Sequence, residues 1–248
     1  MMTLDLLNIQ HELPESVRAM VQRKIAQLEE ADRRLLGAAS VQGNEFDSAT
    51  VADALDLDPD HVEERLGGLA SVHSVIRQVH EEELPDRTLT VRYCFVHVLY
   101  QNALFRSLTP TRKSSLCAKV ANAIIAHHGD RSASLAADLA FLFDTARDSV
   151  QAAVYFLLAA KNASKLFAYR EAVSLARRGL EHLKRMPESP ERDRQELTLQ
   201  VTLGLALQAV EGYASVEVEQ TYGRARQLCQ QQGEDLHRPI GRWAYPCS

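Results

Sequence analysis

Few of the 248 residues stand in patterns that chemistry requires. His127 and His128, followed by Asp130, form the densest group of potential metal ligands. Neighbouring helical residues point about 100 degrees apart, so the two imidazoles do not converge on one ion as ligands at i and i+4 do. A polar helix end, with histidine near the C-terminal dipole, accounts for them, and no metal site is expected. The four cysteines, Cys94, Cys117, Cys229 and Cys247, make no CxxC pair or zinc spacing and read as reduced thiols. Nucleophilic or acid–base catalysis would need a Gly-x-Ser-x-Gly elbow, a serine or cysteine with an interpretable base, or paired carboxylates in an apolar setting. The sequence contains no such elbow, and neither of the other arrangements can be paired from spacing, so no catalytic residue is assigned. Glu81 to Glu83 read as a solvated hairpin turn. Two basic pairs, Arg177-Arg178 and Lys184-Arg185, read either as exposed helix positions or as a partner-binding surface for an acidic peptide.

The elements that carry these residues are mostly helical. Gly (11), Pro (8) and aromatics (6%) are sparse, while the abundant Ala, Leu, Glu, Arg and Gln lose little entropy in a helix. No window approaches the roughly 18 uncharged apolar residues of a membrane span, and no secretory leader is evident, so a cytoplasmic location is expected. Charge divides the chain. Residues 1 to 106 hold 10 Lys+Arg against 18 Asp+Glu, 10 − 18 = −8, whereas residues 107 to 248 hold 18 against 15, or +3. Two domains are expected, 1–106 and 107–248.

The first half reads as a small module of helices and a β-hairpin. Leu13-Pro14-Glu15-Ser16 opens a helix carrying Val17, Met20, Val21, Ile25 and Leu28 at helical spacing. A second runs from Ala31 to about Val41, stopped by Gly43 and Asn44. Phe46-Asp47-Ser48 leads into a short helix with Ser48 as its cap, and Asp58-Pro59 starts the next, with Val62, Leu66 and Leu69 as its stripe. Two short helices joined by a tight turn resemble a helix-turn-helix. Ser74 to Val79 and Thr88 to Phe95 then alternate apolar and polar residues at period two. Such an order describes a winged-helix-like module. Its groove-reading helix, 59–70, carries Asp60, Glu63 and Glu64 against Arg65 alone, with Asp58 at its cap, and acids there repel a duplex.

From Pro110 onward the sequence predicts successive amphipathic helices: Thr111 to His127, Ser132 to Phe143, Ser149 to Leu166, Tyr169 to Arg185, Glu191 to Val210 and Val216 to Gln231. Ala159, Ala160 and Ala163 face Ala172, Ala176 and Gly179, small residues where two helices approach closely. Stripes such as Phe141, Phe143, Tyr155 and Phe156 read as core. The run from Tyr169 to Leu180 resembles the second helix of a tetratricopeptide repeat, and Leu203-Gly204, Gly212-Tyr213, Tyr222, Ala225 and Leu228 form an approximate second copy. Tyr169 and Tyr213 are 213 − 169 = 44 apart, against roughly 34 in the standard repeat, so the units diverge. The fold class expected is therefore mainly α: a winged-helix-like module with a short β-hairpin, followed by an α-solenoid of tetratricopeptide-like hairpins.

Taken in order, Leu13 to Ser16, Leu35 to Gly43 with Phe46, Phe95-Val96-His97 with Tyr100, Arg112 with Leu116, Ala152 to Ala163 and Glu211-Gly212-Tyr213 resemble the winged-helix and tetratricopeptide region of bacterial multidomain signalling ATPases. The likeness covers about residues 12 to 234. Relatives of that kind carry an upstream P-loop domain and often a nucleotide cyclase, kinase or transcription-activator domain. No GxxxxGK[ST] occurs here, so the resemblance implies a fragment whose ATP site lies in a missing upstream domain, with no cofactor in this chain. It also implies that His97, after the second wing strand, senses nucleotide phosphates, which an imidazole N–H can do; by position alone His97 also reads as a histidine hydrogen-bonded at a strand–helix junction. Further repeats would be expected past the end, so the repeats look truncated and an uncapped apolar face predicts self-association.

The function expected is a non-catalytic regulatory and protein-interaction segment of a signalling ATPase. Its partners would be the P-loop domain upstream and a protein read by the repeats, with no membrane and no nucleic acid. The alternative is a DNA-binding transcriptional regulator using the helix 59–70.

Overall fold

The computed structural model describes residues 15–232. Leu13-Pro14, Gly233, Trp243 and Cys247 lie outside the described residues. The chain is mainly helical with a small three-stranded antiparallel sheet. Its contacts divide it into two compact units at Gly129/Asp130.

In the first unit, α1 (Glu15–Ala26) and α2 (Glu30–Gln42) precede β1 (Glu45–Asp47), α3 (Ser48–Leu55), α4 (Pro59–Gly68) and a π-helical turn, Leu69–His73. The hairpin β2 (Ile76–Glu83) and β3 (Leu89–Phe95), then α5 (Val98–Ser107) and α6 (Pro110–His128), complete it. β3 lies between β1 and β2, paired Phe46↔Tyr93 on one side and Ile76↔Phe95 on the other. A register shift between Gln78 and His80 marks a bulge on the edge strand. The third strand, β1, has only three residues and escapes a period-two reading. Glu81 to Glu83 belong to β2 rather than to the turn, because the ladder continues to Glu83↔Leu89.

Local chemistry sets the helix starts. Asp47, not Ser48, caps α3: its carboxylate accepts the Thr50 N–H at 2.7 Å. Ser48 instead donates to Glu63 at 2.8 Å and accepts the Val91 N–H at 3.1 Å, tying α3 to α4 and β3. Asp58 caps α4 as expected, accepting from the His61 N–H at 3.0 Å. The core gathers Leu36, Phe46, Val51, Leu66, Ile76, Phe95 and Leu104, with Phe46 against the rings of Tyr93 and Phe95. α6, which charge assigns to the second half, packs on α2 and α3 in this unit and buries Leu116, Cys117, Val120 and Ala121.

A 3-10 segment, Gly129–Leu135, leads into the second unit, where a regular helix was expected from Ser132. Then come α7 (Ala136–Ala146), α8 (Ser149–Lys165), α9 (Tyr169–Lys184), α10 (Pro190–Glu211) and α11 (Val216–Gln232). Each helix packs on the next. Phe143 stacks on Tyr155, Phe156 on His182, Gly179 meets Leu199 and Gly204 meets Tyr222. Those pairings match residues counted outward from each connecting turn, so successive helices run antiparallel. The expected alanine seam is buried throughout.

Candidate functional site

Three helices of the second unit, α9, α10 and α11, border a groove of about 630 Å³. Its walls are charged. Arg177 grips Glu217 through a fork, Nε to Oε1 at 3.1 Å and Nη2 to Oε2 at 2.8 Å, and Arg224 makes the same kind of contact with Glu196 at 2.6 and 3.1 Å. Both bonds are charge-assisted and bidentate, the geometry that fixes a guanidinium most firmly. Lys184 reaches Glu181 at 2.6 Å, and Arg192 approaches Glu196 at 3.6 Å from within the groove wall. The Arg192 Nε is buried without a hydrogen-bond acceptor.

Four cations (Arg177, Lys184, Arg192, Arg224) thus face three carboxylates (Glu181, Glu196, Glu217), 4 − 3 = +1. The groove is charge-alternating rather than simply basic. Gln200, Gln220 and Thr221 add neutral donors and acceptors. A surface of this kind presents donors and acceptors in fixed positions, along which an extended chain of mixed charge can lie.

The four basic residues singled out from sequence are not placed together. Arg177 and Lys184 line the groove, and Arg185 is exposed at the end of α9. Arg178 is held elsewhere, bonded to Asp144 and stacked over the rings of Phe141 and Phe156 at 4.4 and 4.8 Å. Glu196, Arg192 and Arg224 had no sequence signal, since Glu196 and Arg224 come from different helices 28 positions apart.

His97 caps α5: its Nδ1 accepts the Leu99 N–H at 3.2 Å. A neutral ring accepting at Nδ1 carries its proton on Nε2, and the residue is exposed, so one N–H remains for an outside oxygen. His127 turns its two ring nitrogens to different carboxylates, Nδ1 to Asp86 at 2.8 Å and Nε2 to Asp53 at 2.9 Å. A bond from the Thr88 N–H and the His127 contact hold Asp86 down at about 2. Burial pushes His128 below its ordinary value. Among the described residues, no group of three or more His, Cys, Asp or Glu is placed to hold a metal ion. Cys94, Cys117 and Cys229 are buried, and burial drives the Cys117 thiol up to about 12, so it resists forming a thiolate.

One cluster escaped the sequence reading entirely. His182 has Nδ1 3.3 Å from the Ser149 hydroxyl and Nε2 3.1 Å from Asp144, which also takes Arg178. Serine, histidine and aspartate in series invite comparison with a nucleophile, its base and its orienting carboxylate. Here, though, the ring is only 4% exposed and lies flat on Phe156, so no substrate reaches it. The cluster works as a polar lock between the α7–α8 turn and α9. Burial outweighs Asp144 and keeps His182 below the ordinary imidazole value.

The would-be groove-reading helix α4 exposes Asp58, Asp60, His61 and Glu64. Its one arginine is engaged: Arg65 bonds Asp32 at 2.6 and 2.9 Å and Glu29 at 3.0 Å. Comparisons with family models, with curated proteins and with solved structures return no match to the chain. Among the described residues, no helix is long and apolar enough to cross a membrane.

Proposed function

We propose that this chain is a regulatory, protein-interaction segment of a bacterial signalling ATPase. In this reading the first unit is a winged-helix-like module and the second a short run of tetratricopeptide-like hairpins. It does no chemistry of its own and works by position. The observation that carries the reading is the charge-alternating groove of α9, α10 and α11, where preformed guanidinium–carboxylate forks present fixed polarity to an extended partner. His97, with an N–H free to donate, would sense the phosphates of nucleotide held by a P-loop domain that precedes this region in relatives of that type. The hairpins would then expose or hide the groove.

The DNA-binding alternative is disfavoured on a particular ground. Arg65, the cation its reading helix would offer, is held by two carboxylates of its own module.

Two measurements test the proposal. Calorimetry of the isolated chain with Mg-ATP is expected to give no heat of binding, and micromolar affinity would remove the reading. A displayed library of random peptides is expected to yield sequences of mixed charge, whose affinity falls at least about tenfold in Arg177→Glu or Arg224→Glu, as truncating an anchoring arginine does. Failure to select any peptide, or selection indifferent to both variants, counts against the groove.

A further inference from the structure

The turn between α8 and α9 is an uncomfortable one. Leu166 and Phe167 are each 78% exposed, and Phe167 has φ +59°, a left-handed conformation that a bulky side chain rarely adopts. After a helix that position is usually glycine or asparagine. The ring meets Tyr169 edge-on at 6.1 Å and otherwise stands in water on a strained backbone. A contact beyond this copy of the chain is what the combination suggests.

The turn between α10 and α11 has the same character, with Tyr213 72% and Val216 66% exposed. Because α8, α9, α10 and α11 alternate in direction, both turns lie at one end of the array. Their charges are opposite. Lys161, Lys165 and Arg170 surround the first turn against Glu171, 3 − 1 = +2, and the three cations have no ion-pair partner among the described residues. Positions 211–219 carry Glu211, Glu217 and Glu219 and no cation; with Glu217 held by Arg177, two carboxylates face outward.

We infer that this end of the array is a homodimer interface, in which the basic, aromatic α8–α9 turn of one copy seats on the acidic, aromatic α10–α11 turn of the other. Two complementary patches on one end are what a two-fold axis requires, since each contact is then made twice. The carboxylates argue against an anionic membrane as occupant, which they would repel. An acidic peptide would use only one of the two patches. Burying Phe167 and Leu166 against Tyr213 and Val216 supplies the apolar contact that the ion pairs orient.

Sedimentation velocity on the full chain, from about 1 to about 100 µM, reads the outcome directly. A dimer is expected that weakens as salt rises from about 0.15 to about 1 M. Phe167→Gly, Lys165→Glu and Glu219→Lys should each weaken it about tenfold, and combining the two charge reversals should restore it. Phe167→Gly removes the backbone strain, so its melting temperature should not fall, and lost association cannot then be blamed on misfolding. A monomer at every concentration overturns the inference. So does association that ignores all three variants, a double reversal that stays weak, or a chain that remains monomeric yet co-sediments with vesicles rich in anionic lipid.

Discussion

His182 and His128 are both held below the ordinary imidazole value of 6.5, burial being the first cause in each. The unfolded chain therefore binds more protons than the folded one once pH drops below about 6.5. Their contribution is whole above that value and is lost as pH falls toward the folded-state values. Thermal midpoints should stay level from about pH 8 to about 7 and decline below about 6.5, and His182→Gln should shrink the decline. A flat profile down to about pH 5 would contradict the buried, neutral ring. Asp86, held at about 2 by the Thr88 N–H and His127, titrates in a separate window, its contribution disappearing only as pH falls from 3.8 toward 2. Arg65 gives a second residue-level expectation. Arg65→Ala leaves the buried Asp32 without its cation, at a cost of about 1–3 kcal/mol, measurable by urea denaturation.

At the scale of elements, two glycines decide how closely helices approach. A Cβ on Gly204 would lie 2.7 Å from the Tyr222 ring, and one on Gly179 would lie 3.0 Å from Leu199. Contact at 2.7 Å forces α10 and α11 apart or drives the ring from its place. Gly204→Ala is thus expected to destabilise by about 1–3 kcal/mol, despite alanine's better helix propensity. Tyr222→Leu in the same chain should recover part of that loss by making room. If Gly204→Ala proves stabilising in chemical denaturation, the helices do not meet as described. The groove depends on the same seam, because α10 supplies Glu196 and α11 supplies Arg224.

For the whole molecule, the two units differ in what they can bring to a partner. The first has a sheet edge and an acidic helix α4 whose arginine is engaged; the second has a charged groove and an exposed aromatic end. Duplex DNA should not be retained in a gel shift at about 0.1 M salt, and Arg65→Glu should leave that result unchanged. Retention that falls steeply with salt and vanishes in the Arg65 variant would restore the DNA-binding alternative. ATP recognition belongs at this scale too, since His97 offers one donor and a nucleotide site needs a further, phosphate-cradling half.

Helix positions were legible in the sequence because periodicity and capping are local. The expected Tyr169 to Arg185 and Glu191 to Val210 lie within a residue of α9 and α10, and Asp58 caps where a Pro at the first turn says it should. The alanine and glycine seam was legible for the same reason, since closeness of helices requires small side chains wherever the hairpins close. β1 was not, being three residues long and made a strand only by its partner. Nor could spacing show that Arg178 turns to Asp144 while Arg177 faces Glu217, because adjacent helical residues diverge and their partners lie 34 and 40 positions away. Sequence alone determined where helices begin, end and bury a face. Tertiary packing alone decided which charges meet, since an ion pair depends on distance through space and carries no period along the chain.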